Sequence, residues 1–151
     1  MLAVSTATRT DNLHVPQATR EDRFLARSGT LRALFRGAAG KMLLTTKTER
    51  EVSQLPRRAN GLETNAAQRS EFEPMRRELD KIRRDGYAMS MGTSMPGAAP
   101  LAIPLPVPRE HAPMTLSLGR PMREIKSERE RLVALLHDAV SNFRRAVESA
   151  R

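Results

Sequence analysis

The chain has 151 residues, no cysteine, and a formal net charge of +9 from 26 Lys+Arg against 17 Asp+Glu. The length suits one domain, and the lack of cysteine excludes a disulfide framework, a thiolate zinc site, an iron–sulfur cluster and a cysteine nucleophile. No apolar run approaches the ~20 residues that span a bilayer, and Met1 to Thr6 lack the basic flank and apolar stretch of a secretory signal, so a soluble cytoplasmic domain is expected.

Residues 1–27 are polar and weakly patterned; Leu13 to Val15 can be a strand end, with Pro16 removing a donor immediately afterwards. Leu31, Leu34, Phe35, Ala38 and Met42 fall on one helical face, which predicts a first helix after Ser28, Gly29 and Thr30. Gly37 and Gly40 then sit inside it, and two glycines there suggest a close approach to the backbone, by another element or by a ligand. Thr48 and Glu51 have capping-box spacing and open a second short helix. Pro56 to Gly61 reads as a loop. A third helix is predicted from about Ser70 to Asp85. Ser70 and Glu73 cap it reciprocally, Met75, Leu79 and Ile82 form its core stripe, and Gly86 closes it.

After Gly86 the period changes. Tyr87 to Met91 reads as a short strand and Gly92 to Pro100 as a loop of small residues. Leu101, Ile103, Leu105 and Val107 alternate with Ala102, Pro104 and Pro106, a strand whose prolines make one side an edge or irregular. Met114, Leu116 and Leu118 alternate in a second strand, and the two form an antiparallel hairpin. Ser127 and Glu130 predict the start of a last helix carrying Leu132, Leu136, Val140, Phe143 and Val147, with Leu135 and Ala139 widening the stripe. This order reads as α+β, an antiparallel sheet with flanking helices.

Chemistry for catalysis is missing from the pattern. His14, His111 and His137 have no metal-ligand spacing, Gly40-Lys41 lacks the following hydroxyl of a phosphate loop, and no serine sits in a G-x-S-x-G elbow. No enzyme, cofactor or metal is expected. The basic residues are mostly arginine and interleave with acids, as in Arg129, Glu130 and Arg131, which favours solvated ion-pair faces over a nucleic-acid groove. Five aromatic side chains are too few for a base-stacking platform.

The segment from Ser28 to Leu44, ending in Ala38, Gly40, Lys41 and Leu44, resembles the first helix of the effector-binding domain of IclR-family transcriptional regulators. Arg84, Gly86, Tyr87 and Ala88 are similar to the family's "arginine, one residue, Gly-Tyr-Ala" run into a strand. Pro96-Gly97 followed by Ala102 and Pro104 resembles its Pro-Gly and Ala-x-Pro pair. Leu116 to Pro121 looks like its closing strand, and Ser127 onward its terminal helix.

The resemblance implies a GAF-like fold, with 28–151 as the effector-binding domain and 1–27 as its shortened, irregular N-terminal segment. It implies a pocket for a small organic effector, a carboxylate or aromatic acid, and assembly as a homo-oligomer. DNA would be met only through a winged helix-turn-helix that this sequence does not contain. Carried over by position, the pocket residues are Ala39, Gly40, Ser90, Met91, Pro100, Ser117 and Gly119. The family often has an acid at Ser90 and a cysteine at Pro100, so the pocket implied here is less polar. The alternatives are a basic nucleic-acid-binding protein, or a truncated, non-functional remnant of such a regulator.

Overall fold

Alternation is plainest between Leu101 and Leu118, and it builds the centre of the sheet. In the computed structural model, which describes residues 2–5, 9–14, 31–60, 71–91, 97–108 and 110–149, strand β5 is Ala98–Leu105 and β6 is Met114–Pro121. They pair antiparallel with Leu101 opposite Leu118, Ile103 opposite Leu116 and Leu105 opposite Met114. Successive side chains point to opposite faces. One face of the hairpin is therefore leucine, isoleucine and methionine. The other carries Pro100, Ala102, Pro104, Thr115, Ser117 and Gly119.

The remaining strands are β1 (Leu2–Ser5), β2 (Arg9–His14), β3 (Leu31–Ala33) and β4 (Ala88–Met89). The six form one antiparallel sheet in the order β3-β2-β1-β6-β5-β4. The weak pattern of the first fourteen residues thus hides two strands, because β1 and β2 gain their order from the ladder and not from alternation. Pro100 accepts a bond from the Ser90 backbone N–H at 3.1 Å but has no N–H to return, and β4 stops at Met89. The irregular side foreseen from the prolines is this one.

Helix α1 is Ala38–Leu44, α2 Glu49–Asn60, α3 Phe72–Asp85 and α4 Met122–Ser149. Three of them depart from the sequence reading. The first does not include Leu31 to Phe35: Leu31 to Ala33 pair with Asp11 to Arg9 instead, and the chain turns before the helix begins, with Gly37 as its N-cap. The second does not stop at Pro56, which lies inside it; buried Val52 and Leu55 hold that helix on the core across the lost backbone bond. The fourth begins five residues early. Fully buried Ile125 anchors its opening turns, and the Met122 N–H donates to the Gly97 carbonyl at 2.9 Å. The Ser127 hydroxyl donates back to the carbonyls of Arg123 and Glu124 and does not cap Glu130, while Glu128 breaks the helical path at φ −118°, ψ 16°.

Other local signals hold. The Thr48 N–H donates to Glu51 Oε2 at 2.8 Å and the Glu51 N–H to Thr48 Oγ1 at 3.3 Å, a reciprocal capping box. Gly86 closes α3 at φ 75°, in the left-handed region. The expected Ser70–Glu73 box falls on Ser70, outside the described residues, and Glu71 is the N-cap.

Two cores sandwich the sheet. On one side α4 contributes Ile125, Leu132, Leu136 and Val140 to Leu101, Ile103 and Leu105. On the other, α1, α2 and α3 pack around Ala88 and Ala102 with Leu34, Leu43, Leu44, Val52, Met75, Leu79 and Ile82. No helix among the described residues is long and apolar enough to cross a membrane.

Candidate functional site

Between α1 and the β5–β6 hairpin the side chains are small. Ala38 and Ala39 are buried on the helix, and Ala88, Ala102, Ser90, Thr115 and Ser117 are buried on the strands. These three hydroxyl residues are the only buried polar side chains among the described residues. Alternation places them there: residues 115, 117 and 119 of β6 share a face with 100, 102 and 104 of β5.

Each predicted residue can now be located. Ser90, just past β4, donates its hydroxyl to the Arg36 carbonyl at 3.2 Å and its N–H to Pro100. Pro100 lies opposite Gly119, and Ser117 opposite Ala102. Ala39 and Gly40 ride on α1, which packs over both strands. A Cβ on Gly40 would lie 2.0 Å from the Leu34 carbonyl oxygen, so the close approach there is made by the chain itself. At Gly119 a Cβ would meet nothing within 4 Å, and this end of the hairpin is open. Met91 is 36% exposed. It lies past the end of β4, while Ser90 beside it is buried.

The structure therefore brings Ala39, Ser90, Pro100, Ser117 and Gly119 to one side of the sheet, with Gly40 committed to packing. All their side chains are uncharged, and the polar groups they offer are hydroxyls and backbone N–H and C=O. Thr115 escaped the sequence reading. Its signal was available, since it stands two residues before Ser117 on an alternating strand.

A small concavity lies between α2 and α3, lined by Glu49, Val52, Phe72, Arg76, Leu79, Asp80 and Arg83. At about 70 Å³ it is far below the ~300–1,000 Å³ of small-molecule sites. Its arginines and Asp80 already have partners: Arg76 meets Glu73 at 3.1 Å and Asp80 at 3.6 Å. Arg83 meets Asp80 at 2.8 Å and the carbonyls of Thr45 and Lys47. The hydrogen bond from Arg76 to Glu73 holds the guanidinium above its ordinary pKa. This groove is a seam between helices. Among the described residues no group of three or more His, Asp or Glu is placed to hold a metal.

The sequence matches the family described as "Bacterial transcriptional regulator IclR C-terminal" over residues 6–145. No curated protein matches it significantly. Among solved structures it is similar to the effector domain of the transcriptional regulator IclR from Acinetobacter sp. ADP1, with a TM-score of 0.86 and 23% identity, covering 95% of this chain and 83% of that one. It is similar also to the IclR of Thermotoga maritima, with a TM-score of 0.80 and 18% identity, covering 96% of this chain and 59% of that one. For the IclR transcriptional regulator from Alicyclobacillus acidocaldarius the TM-score is 0.75 at 22% identity, covering 93% of this chain and 57% of that one.

Proposed function

The chain belongs to the IclR C-terminal family of bacterial transcriptional regulators, and from that premise we propose that it senses one small organic effector in the cytoplasm and transmits the signal through a homo-oligomer. The family is one of regulators and not of enzymes, and its effector domains bind small molecules. Residues 28–151 form the effector-binding unit in this reading, with 1–27 as a shortened N-terminal segment that lends strands to its sheet. Any contact with DNA runs through a helix-turn-helix outside this sequence.

The observation that carries the proposal is the buried hydroxyl-bearing face between α1 and the hairpin, with Ser90 and Ser117 on it. Ala39, Pro100 and Gly119 complete the lining, Gly40 packs α1 against the turn at Leu34, and Met91 stands at the rim. Carboxylates and aromatic acids are the class to test first. A ligand that binds only the native state raises stability by RT ln(1 + [L]/Kd), about 2.7 kcal/mol at a hundredfold excess over Kd. Thermal melts of the purified chain with aliphatic and aromatic carboxylates are expected to show a shift with one of them. Ser90→Ala and Ser117→Ala should reduce that shift. A shift untouched by either substitution would remove this face from the account.

Support for oligomerisation comes from the far half of α4. There Leu135, Phe143 and Val147 are 57%, 40% and 37% exposed. Apolar side chains at these spacings on one helix suit a contact between copies. Light scattering during size exclusion should report a dimer or larger species.

A further inference from the structure

The buried polar groups of the effector face are not equivalent. The Ser90 hydroxyl donates to the Arg36 carbonyl and keeps its oxygen as an acceptor, and Ser117 also has a partner. Thr115 is 1% exposed, yet its Oγ1 has no hydrogen-bond partner. Buried hydroxyls are nearly always paired, because an unpaired one has given up water for nothing. The ladder around it explains the lack. Thr115 lies opposite Pro104 of β5, whose side chain carries no polar atom, and pairs through its backbone with β1 on the other side.

We propose that Thr115 is a further effector-contact residue, its hydroxyl pairing with an oxygen of a small ligand seated between α1 and β6. This rests on the reading of that face as the effector site. Thr115 and Ser117 are two residues apart on one strand face, about 7 Å along the strand. That distance suits a ligand of a few heavy atoms with a polar group at the end nearer β1. Because the buried polar side chains among the described residues are hydroxyls alone, the bond is a neutral one at the protein's end. A carboxylate, a carboxamide and an alcohol can all satisfy it, and the fit of the rest of the molecule selects among them. The effector then supplies to the native state a bond that the unliganded chain leaves unmade.

The test uses Thr115→Val, which keeps the shape and removes the hydroxyl. The probes are propionate, propionamide and 1-propanol with their benzoate, benzamide and benzyl alcohol counterparts. The unliganded variant is expected to melt above the parent, and the shift the best probe gives the parent should be largely lost, with Thr115→Ser restoring it. A lower melting temperature for unliganded Thr115→Val would overturn the inference, since the hydroxyl would then be serving the fold. If Ser117→Ala loses the shift and Thr115→Val keeps it, Thr115 is no contact and the effector face survives. If neither changes it, the face itself is misplaced and the inference goes with it.

A second measurement needs no effector. The native sequence contains no cysteine, so in Thr115→Cys methyl methanethiosulfonate reports on one position. Modification about tenfold or more faster than global unfolding is expected, with a bulky aromatic disulfide reagent much slower. Modification no faster than unfolding would mean that no small molecule reaches this place, and the inference would fail.

Discussion

Between β5 and α4 the sheet packs leucine and isoleucine; between β5 and α1 it packs alanine, serine, threonine and a glycine. Both faces come from the same strands, one residue out of phase. The α4 face is filled by branched side chains that exclude water and fix the helix at a full side-chain distance. On the α1 face the strands offer short side chains, Ala88, Ala102, Thr115 and Ser117, and the leucines come from the chain that packs over them. Hydrophobic burial does the holding on the first face. The second keeps polar atoms inside the fold, at some cost in stability. A sensing domain needs both, and alternation lets it keep them on opposite sides of one sheet.

The largest effect should come from emptying the first face. Ile103 is fully buried, and Ile103→Ala is expected to cost about 2–5 kcal/mol in chemical denaturation. Next is Gly40→Ala in α1, where the added methyl meets the Leu34 carbonyl oxygen of the preceding turn at 2.0 Å. A loss of about 1–3 kcal/mol is expected, together with a weaker ligand-induced melting shift. A loss in stability with full ligand response would show that the spacing of α1 does not govern the site.

Thr48→Ala lies remote from both faces and should cost about 1 kcal/mol through the cap. Its effect depends on pH with a definite sign. The Thr48 N–H, and then its hydroxyl, hold the Glu51 carboxyl below its ordinary pKa. The contribution is therefore present at neutral pH and fades as pH falls through that lowered value. The gap between parent and variant should narrow in acid without closing, because the Glu51 N–H bond to Thr48 Oγ1 does not titrate. The smallest effect on stability is expected at Leu135→Lys, within about 0.5 kcal/mol because the side chain is exposed. The same change should lower the oligomer mass if the far half of α4 is the contact between copies.

Legibility in the sequence followed the kind of signal. The alternation in β5 and β6, the cap at Thr48 and Glu51, and the stop at Gly86 are local rules, and the structure shows each in place. The helical spacing of Leu31 to Phe35 misled because β2 offers those residues a ladder, a partner distant in sequence. Ser127 looked like a beginning because nothing in its own neighbourhood reveals that Ile125 is buried against the sheet. For the site, resemblance supplied the positions; burial parts Met91 from Ser90, and the register joins Thr115 to Ser117. Whether a buried hydroxyl is paired depends on the strand alongside it.

The strand order has a consequence for synthesis on the ribosome. Val4 pairs with Met114, 110 residues later in the chain. At about 5–20 residues per second, the first strand to emerge waits roughly 5–20 seconds for that partner to be made. Meanwhile one edge of the β1–β2 pair stands without its neighbour, the kind of edge on which another nascent chain can add. The interval grows with every slowing of translation. Crowded expression should therefore put this fold at risk before its last helix exists, whatever the stability of the finished molecule.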